Sequence, residues 1–281
     1  MVLVSSSLRC ARHAAARWYE ICYNGEYMDS SWSAKRRFRI KLAAGFLAVV
    51  LIGILLAVLF SHPPTCFDSR KNQEEVGVDC GGTCALMCST QISEARVAWA
   101  QPFRVADGWY SAVAYIEHIN KDAYVERVPY RFQFYDSDGV LITERSGYTH
   151  LTSDPVNAVF VGRVDTGERA VARVSFSWLE QPRWYRQDRS YRVTLEGQRL
   201  VSTPFGNDLM ATLHNEEPTL LTDVKVVTIL YDSAHNAIAA SETYVDQLLP
   251  WAPHNVTFSW PGPFVRTPVR IELIPRVPIQ Q

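Results

Sequence analysis

The 281-residue chain is 47% apolar and 20% charged with a formal net charge of -1, an average that belongs to a folded protein and excludes a disordered one. The charge is unevenly placed: eight Lys/Arg stand against three Asp/Glu through residue 41, net +5, and twenty against twenty-six after it, net -6. Between the two blocks, residues 42–60 carry no charged or polar side chain, which argues against a fully soluble protein, and the 221 residues that follow suffice for two modest domains.

Residues 1–41 read as a basic tail. Within it, residues 8–23 place Arg9, Arg12, His13, Arg17 and Glu20 near one helical face and Leu8, Ala11, Ala15, Trp18, Tyr19 and Cys22 near another, the pattern of either an interfacial helix or a solvated topology signal. Cys10 and Cys22 have no motif around them. Residues 42–60, as a helix, rise about 28 Å at about 1.5 Å each, close to the hydrocarbon thickness of a bilayer. Gly45 and Gly53 are too far apart for a close-packed helix dimer motif. Lys35, Arg36, Arg37, Arg39 and Lys41 precede the span, whereas Asp68, Glu74, Glu75 and Asp79 follow it. Positive charge stays cytoplasmic, so the amino end is expected inside and the larger part outside. A cleavable signal peptide fits less well, because the apolar run is long and Val58, Leu59 and Phe60 are not the small residues a peptidase needs.

Four of the six cysteines, Cys66, Cys80, Cys84 and Cys88, fall within 23 residues after the span. An even count outside a membrane reads as two disulfides, with three possible pairings. Zinc is the rival, but the C-x13-C-x3-C-x3-C spacing lacks the usual CxxC pairs. Asp68, Asn72, Glu75 and Asp79 are weak candidates for calcium, against the alternative that such side chains bond their own turns. The string Cys66-x-Asp68-x3-Asn72-x2-Glu75-x-Gly77-x-Asp79-Cys80-Gly81-Gly82-x-Cys84 resembles a short cysteine-rich module that recurs in extracellular and cell-surface proteins, with Ser69 where that module carries glycine. The resemblance implies an extracytoplasmic stapled linker over residues 61–90 and implies no activity.

After Cys88 the pattern changes to period two, rich in Val, Tyr, Phe, Thr and Trp, with turn signals about every ten residues. The expected fold is an all-β portion of two tandem Ig-like β-sandwiches, preceded by one transmembrane α-helix. Tyr135-Asp136 and Tyr231-Asp232 each end a strand before a turn, at an offset of 96. Val174-Ser175-Phe176-Ser177-Trp178 and Val256-Thr257-Phe258-Ser259-Trp260 give a second anchor at 82, so the first copy should hold fourteen extra residues somewhere in 146–168. Aligning residues 191–196 with 269–274 puts the boundary near Gly197, giving sandwiches at 91–197 and 198–277 stacked end to end without a hinge. Ile119-Asn120 with Phe132-Gln133-Phe134-Tyr135-Asp136, and His214-Asn215 with Ile229-Leu230-Tyr231-Asp232, resemble the FxLYD-type Ig-like domains of bacterial envelope proteins. That likeness implies adhesion, assembly or spacing.

No HExxH, GxSxG, Walker A or GxGxxG pattern occurs, and the histidines are dispersed. Asp136-x-Asp138-Gly139 is better read as a turn than as a calcium loop, since Ala234 replaces the second aspartate in the other copy. The unrepeated aromatics Trp184, Tyr185 and Trp251, beside Arg183 and Arg186 and in Pro-containing connections, are the candidate partner surface, whereas the repeated Trp178 and Trp260 read as packing. Arg189 and Arg192 extend the basic surroundings. The expectation is a single-pass, membrane-anchored, non-enzymatic envelope protein that contacts lipid through residues 42–60 and a protein or envelope polymer outside. No cofactor or nucleic-acid partner is expected. A sugar- or peptide-binding module is the alternative, and an enzyme using His150, Asp154 and Asp165 a lesser one.

Overall fold

The computed structural model describes residues 30–60, 65–187 and 191–280, so the tail helix, Cys10, Cys22 and Arg189 lie outside the described residues. The chain divides into two compact units at residues 64 and 65. In the first, α1 spans Ser30–Phe60, twelve residues longer at its amino end than the uncharged run. Lys and Arg are good helix formers and no Gly or Pro interrupts residues 30–41, so the helix continues through the basic cluster. At 31 residues it is about 46 Å long, which leaves about 16 Å beyond the hydrocarbon for those charges. Its stretch Trp32–Phe60 is long and apolar enough to cross a membrane and none of it is buried by protein.

The second unit opens with the cysteine module. Cys66 pairs with Cys84 and Cys80 with Cys88, a crossed pairing that spacing leaves open. Gly82 sits at φ +60°, where an added Cβ would lie 2.1 Å from the Glu74 carbonyl oxygen, so glycine is required there. The module is fastened to the β layers by main-chain bonds: Met87 N–H to the Trp184 carbonyl (2.8 Å) and Arg186 N–H to the Ala85 carbonyl (2.7 Å).

The remaining elements among the described residues are thirteen strands: β1 (Arg96–Ala106), β2 (Trp109–Glu117), β3 (Ala123–Tyr135), β4 (Leu141–Leu151), β5 (Val156–Asp165), β6 (Arg173–Trp178), β7 (Tyr185–Arg186), β8 (Val193–Thr203), β9 (Gly206–Asn215), β10 (Leu221–Tyr231), β11 (Ala237–Leu248), β12 (Pro253–Pro261) and β13 (Arg270–Arg276). They pair antiparallel in the orders β1-β2-β5, β4-β3-β6 with β7 on β3, β12-β9-β8 and β11-β10-β13. Raising each number in the first two orders by seven reproduces the last two. One core, containing Ile116, Phe132, Phe134, Leu151 and Trp184, joins the first two sheets. Another, containing Leu209, Leu213, Leu230, Phe258 and Trp260, joins the other two.

A third core lies between these sandwiches. Phe103, Val113 and Ala158 of the first meet Val227, Ile229, Tyr231 and Ile274 of the second. The central strands are therefore buried on both faces. On β2, Tyr110, Ala112, Ala114 and Ile116 point into the first sandwich while Val113 faces the second. On β10, Val224, Val226 and Leu230 point inward while Val227 and Ile229 face the first. The sandwiches lie face to face along a seam, which corrects the expected end-to-end stack.

Two further expectations change with it. Gly197 falls inside β8, at a bulge between Glu196 and Arg199, and β8 pairs with β9 along its length; residues 193–197 therefore belong to the second sandwich. The Trp178 strand is β6, whose counterpart by sheet position is β13, whereas the Trp260 strand is β12, the counterpart of β5. Edge strands with one buried face share the same alternation, so the 82-residue anchor matched pattern without position. No fourteen-residue insertion exists in 146–168: that stretch is β4, a four-residue connection and β5, and β11 and β12 are likewise four residues apart.

Candidate functional site

The candidate aromatic surface is divided by the fold. Trp184 is only 2% exposed, packs edge-on against His118 at 4.7 Å between ring centroids and belongs to the first core, so it is removed from the partner surface. Its Pro-containing connection runs beside the cysteine module, and Arg186 reaches from it to the Gly82 carbonyl (3.0 Å). Tyr185 is half-buried against Tyr124, and Arg183 is exposed. Trp251, on the other sandwich, is 65% exposed in a turn with φ 56°. Trp260 is a packing residue as expected, its indole N–H bonded to the Ala240 carbonyl at 3.0 Å.

The acidic side chains of the cysteine module hold turns. Asp79 accepts from the main-chain N–H of Asp68 (3.0 Å) and Ser69 (2.9 Å), Asp68 from Arg70 N–H and the Asn72 amide, and buried Glu75 from Asn72 and Asp79 N–H. Hydrogen bonding to Asn72 lowers the Asp68 pKa. Cys66, Glu75 and Cys84 converge, but these two sulfurs are bonded to each other and present no thiolate to a metal.

The Tyr-Asp pairs carry the same chemistry twice. Asp136 caps its turn through Asp138 and Val140 N–H and pairs with Arg169, while Arg173 lies over the Tyr135 ring at 4.3 Å. Asp232 caps its turn through Ala234 and Asn236 N–H and pairs with Arg266 at 2.8 Å, while Arg270 lies over Tyr231 at 3.7 Å. The hydrogen bond from Arg266, then those from Asn236, hold the Asp232 pKa down to about 2, and Arg169 lowers that of Asp136. Arg-x3-Arg, at 169/173 and 266/270, thus accompanies the Tyr-Asp turn in both sandwiches.

Polar groups also bridge the seam. Glu272 accepts hydrogen bonds from the hydroxyls of Tyr115 and Tyr231, each at 2.8 Å, so one carboxylate ties β2 to β10 and β13. Burial and these bonds raise both phenol pKa values. Arg276, 3% exposed, donates across the seam to the carbonyls of Ala158 (3.0 Å) and His150 (2.8 Å) and to the Thr149 hydroxyl. Gln101 donates to the Ala237 carbonyl at 2.9 Å. The His150 pKa is depressed to about 3, by burial first and then by the cations Arg276 and Lys225. Its expected partners in an enzyme are engaged locally: Asp154 accepts from the Thr152 hydroxyl and Asp165 from Gly167 N–H. Concavities of about 470 and 520 Å³ open along the seam, one beside Asp154 and Glu272 and the other beside Glu242 and Trp260.

Period two on one face of each strand does not reveal the seam. The signal is in residues 110–116, Tyr-Ser-Ala-Val-Ala-Tyr-Ile, and 224–231, Val-Lys-Val-Val-Thr-Ile-Leu-Tyr: nearly unbroken apolar runs of this length mark strands covered on both faces.

No protein-family model matches the chain and no curated protein matches it. Among solved structures, a transglutaminase from red sea bream is similar over 66% of this chain and 29% of that one, at 9% identity and a TM-score of 0.21. A likeness that remote carries no argument about fold or activity.

Proposed function

We propose that the protein is a single-pass, membrane-anchored component of the cell envelope, with its β unit outside the cytoplasm in a structural or interaction role without enzymatic activity. The observation that carries this reading is the two disulfides at residues 66–88, directly after an apolar helix that no described protein surface covers. Such pairs persist in oxidising compartments, and the rule that positive charge stays cytoplasmic supports a cytoplasmic amino end, because Lys35, Arg36, Arg37, Arg39 and Lys41 precede the apolar run. The two sandwiches read as tandem Ig-like copies: the three-plus-three strand order recurs, as do the Asp-capped turn and both arginines around it. A unit of this kind, stiffened by a buried seam, suits adhesion or spacing. A ligand-binding module is the second reading, favoured by the concavities along the seam.

Thiol trapping in intact cells tests the location. A membrane-impermeant maleimide should leave Cys66, Cys80, Cys84 and Cys88 unlabelled until reductant is added, and should not reach Cys10 or Cys22 until the membrane is opened. Free, reduced thiols at 66–88 in freshly quenched cells, or recovery of the chain in a lipid-free fraction, would refute it.

A further inference from the structure

The 520 Å³ cleft combines polar groups from both sandwiches. One wall, from β2 and β5, supplies Ser111, Phe160 and Arg163; the other, from β11 and β12, supplies Ser241, Glu242 and Trp260. Its volume lies within the range of small-ligand sites, about 300–1,000 Å³. Ser111 is 2% exposed and its hydroxyl has no hydrogen-bond partner, although buried hydroxyls nearly always have one. Among the described residues neither Glu242 nor Arg163 makes a hydrogen bond or ion pair, and burial raises the Glu242 pKa, as expected of a carboxylate drawn out of water without a donor. Arg163 is held at φ 56°, a left-handed conformation that non-glycine residues adopt uncommonly and that clusters at ligand sites.

We propose that this cleft is a carbohydrate-binding site that takes one end of a neutral or N-acetylated glycan. A pyranose ring matches the walls in kind. Its hydroxyls both donate and accept, as is needed between an acceptor carboxylate, a guanidinium that only donates, and serine hydroxyls that do either. Its C–H face suits the half-buried ring of Phe160. Glu242 is already balanced at longer range by Lys225 and Arg276, so an ammonium ligand gains little there. Because the walls come from different sandwiches, the site exists only while the seam is closed. The proposal specifies the ligand-binding reading and does not depend on membrane orientation.

The test uses the full chain in lipid nanodiscs, since glycoside detergents would compete, applied to an array of neutral, N-acetylated and uronic-acid glycans. Retention on neutral or N-acetylated glycans is expected, with Glu242→Gln and Arg163→Ala each weakening it at least tenfold. Arg163 is exposed, so its variant should melt with the parent and keeps the test meaningful if Glu242→Gln folds poorly. Binding to no glycan, binding confined to uronic acids, or undiminished binding by Arg163→Ala would each overturn the proposal, whatever the thiol-trapping result.

Discussion

Replacing Arg276 with methionine removes the guanidinium from the seam while keeping an apolar side chain of similar reach. Three bonds disappear, to Ala158, His150 and Thr149. Hydrogen bonds from a charged donor each contribute about 1.5–3 kcal/mol, a gross loss of about 5–9 kcal/mol. Against that, one cation no longer has to be stripped of water, which returns several kcal/mol. The carbonyls and the hydroxyl left behind are unpaired. The net expectation is a loss of about 2–4 kcal/mol, which at a urea m-value of about 2 kcal/mol/M lowers the midpoint by about 1–2 M. The assay is urea unfolding of residues 65–281 followed by tryptophan fluorescence and far-ultraviolet circular dichroism. Because Arg276 belongs to one sandwich and its acceptors to the other, the two probes should separate in the variant as the sandwiches unfold independently. A midpoint unchanged within 0.2 M would refute the view that this residue joins them.

Three other perturbations are informative. Trp184→Ala should destabilise by about 3–5 kcal/mol as a large core truncation, while exposed Trp251→Ala should stay within about 0.5 kcal/mol; thermal melts distinguish them, and equal effects would contradict the burial of Trp184. His150 takes up a proton near pH 6.5 when unfolded but only near 3 when folded, so the unfolded state binds more protons between those values and stability is lost as pH falls through that window; His150→Gln should remove that part of the slope in melts from pH 7 to 4. Asp232 has the usual carboxylate sign: its pKa is about 2 when folded and near 3.9 when unfolded, so its contribution is present above pH 4 and lost on acidification toward 2. Asp232→Asn should lower the melting temperature at pH 6 and narrow its gap to the parent at pH 2; a constant gap would count against the ion pair with Arg266.

The parts of the fold legible in sequence are those written in local pattern. Residues 42–60 announce a span by composition, and alternation around Phe132 and Phe134 announces strands. Tyr135-Asp136 and Tyr231-Asp232 mark equivalent turns because an aspartate there caps main-chain N–H groups in both sandwiches. What depends on distant partners was not legible. The crossed disulfides depend on residues up to 18 apart in the chain, and Trp184, in a Pro-containing connection, is buried by the first core and packs against His118, 66 residues earlier. The seam hides for a similar reason: Glu272 and Arg276 look like ordinary strand-end charges until Tyr115 and His150 arrive from the other sandwich, about 157 and 126 residues away.

A double-mutant cycle between Tyr115 and Glu272 tests the face-to-face packing most directly, because their 2.8 Å hydrogen bond exists only if β2 and β13 meet. Tyr115→Phe and Glu272→Gln, singly and together in residues 65–281, should show a coupling of about 1 kcal/mol or more in urea unfolding. Additive effects, with coupling below about 0.3 kcal/mol, would contradict it.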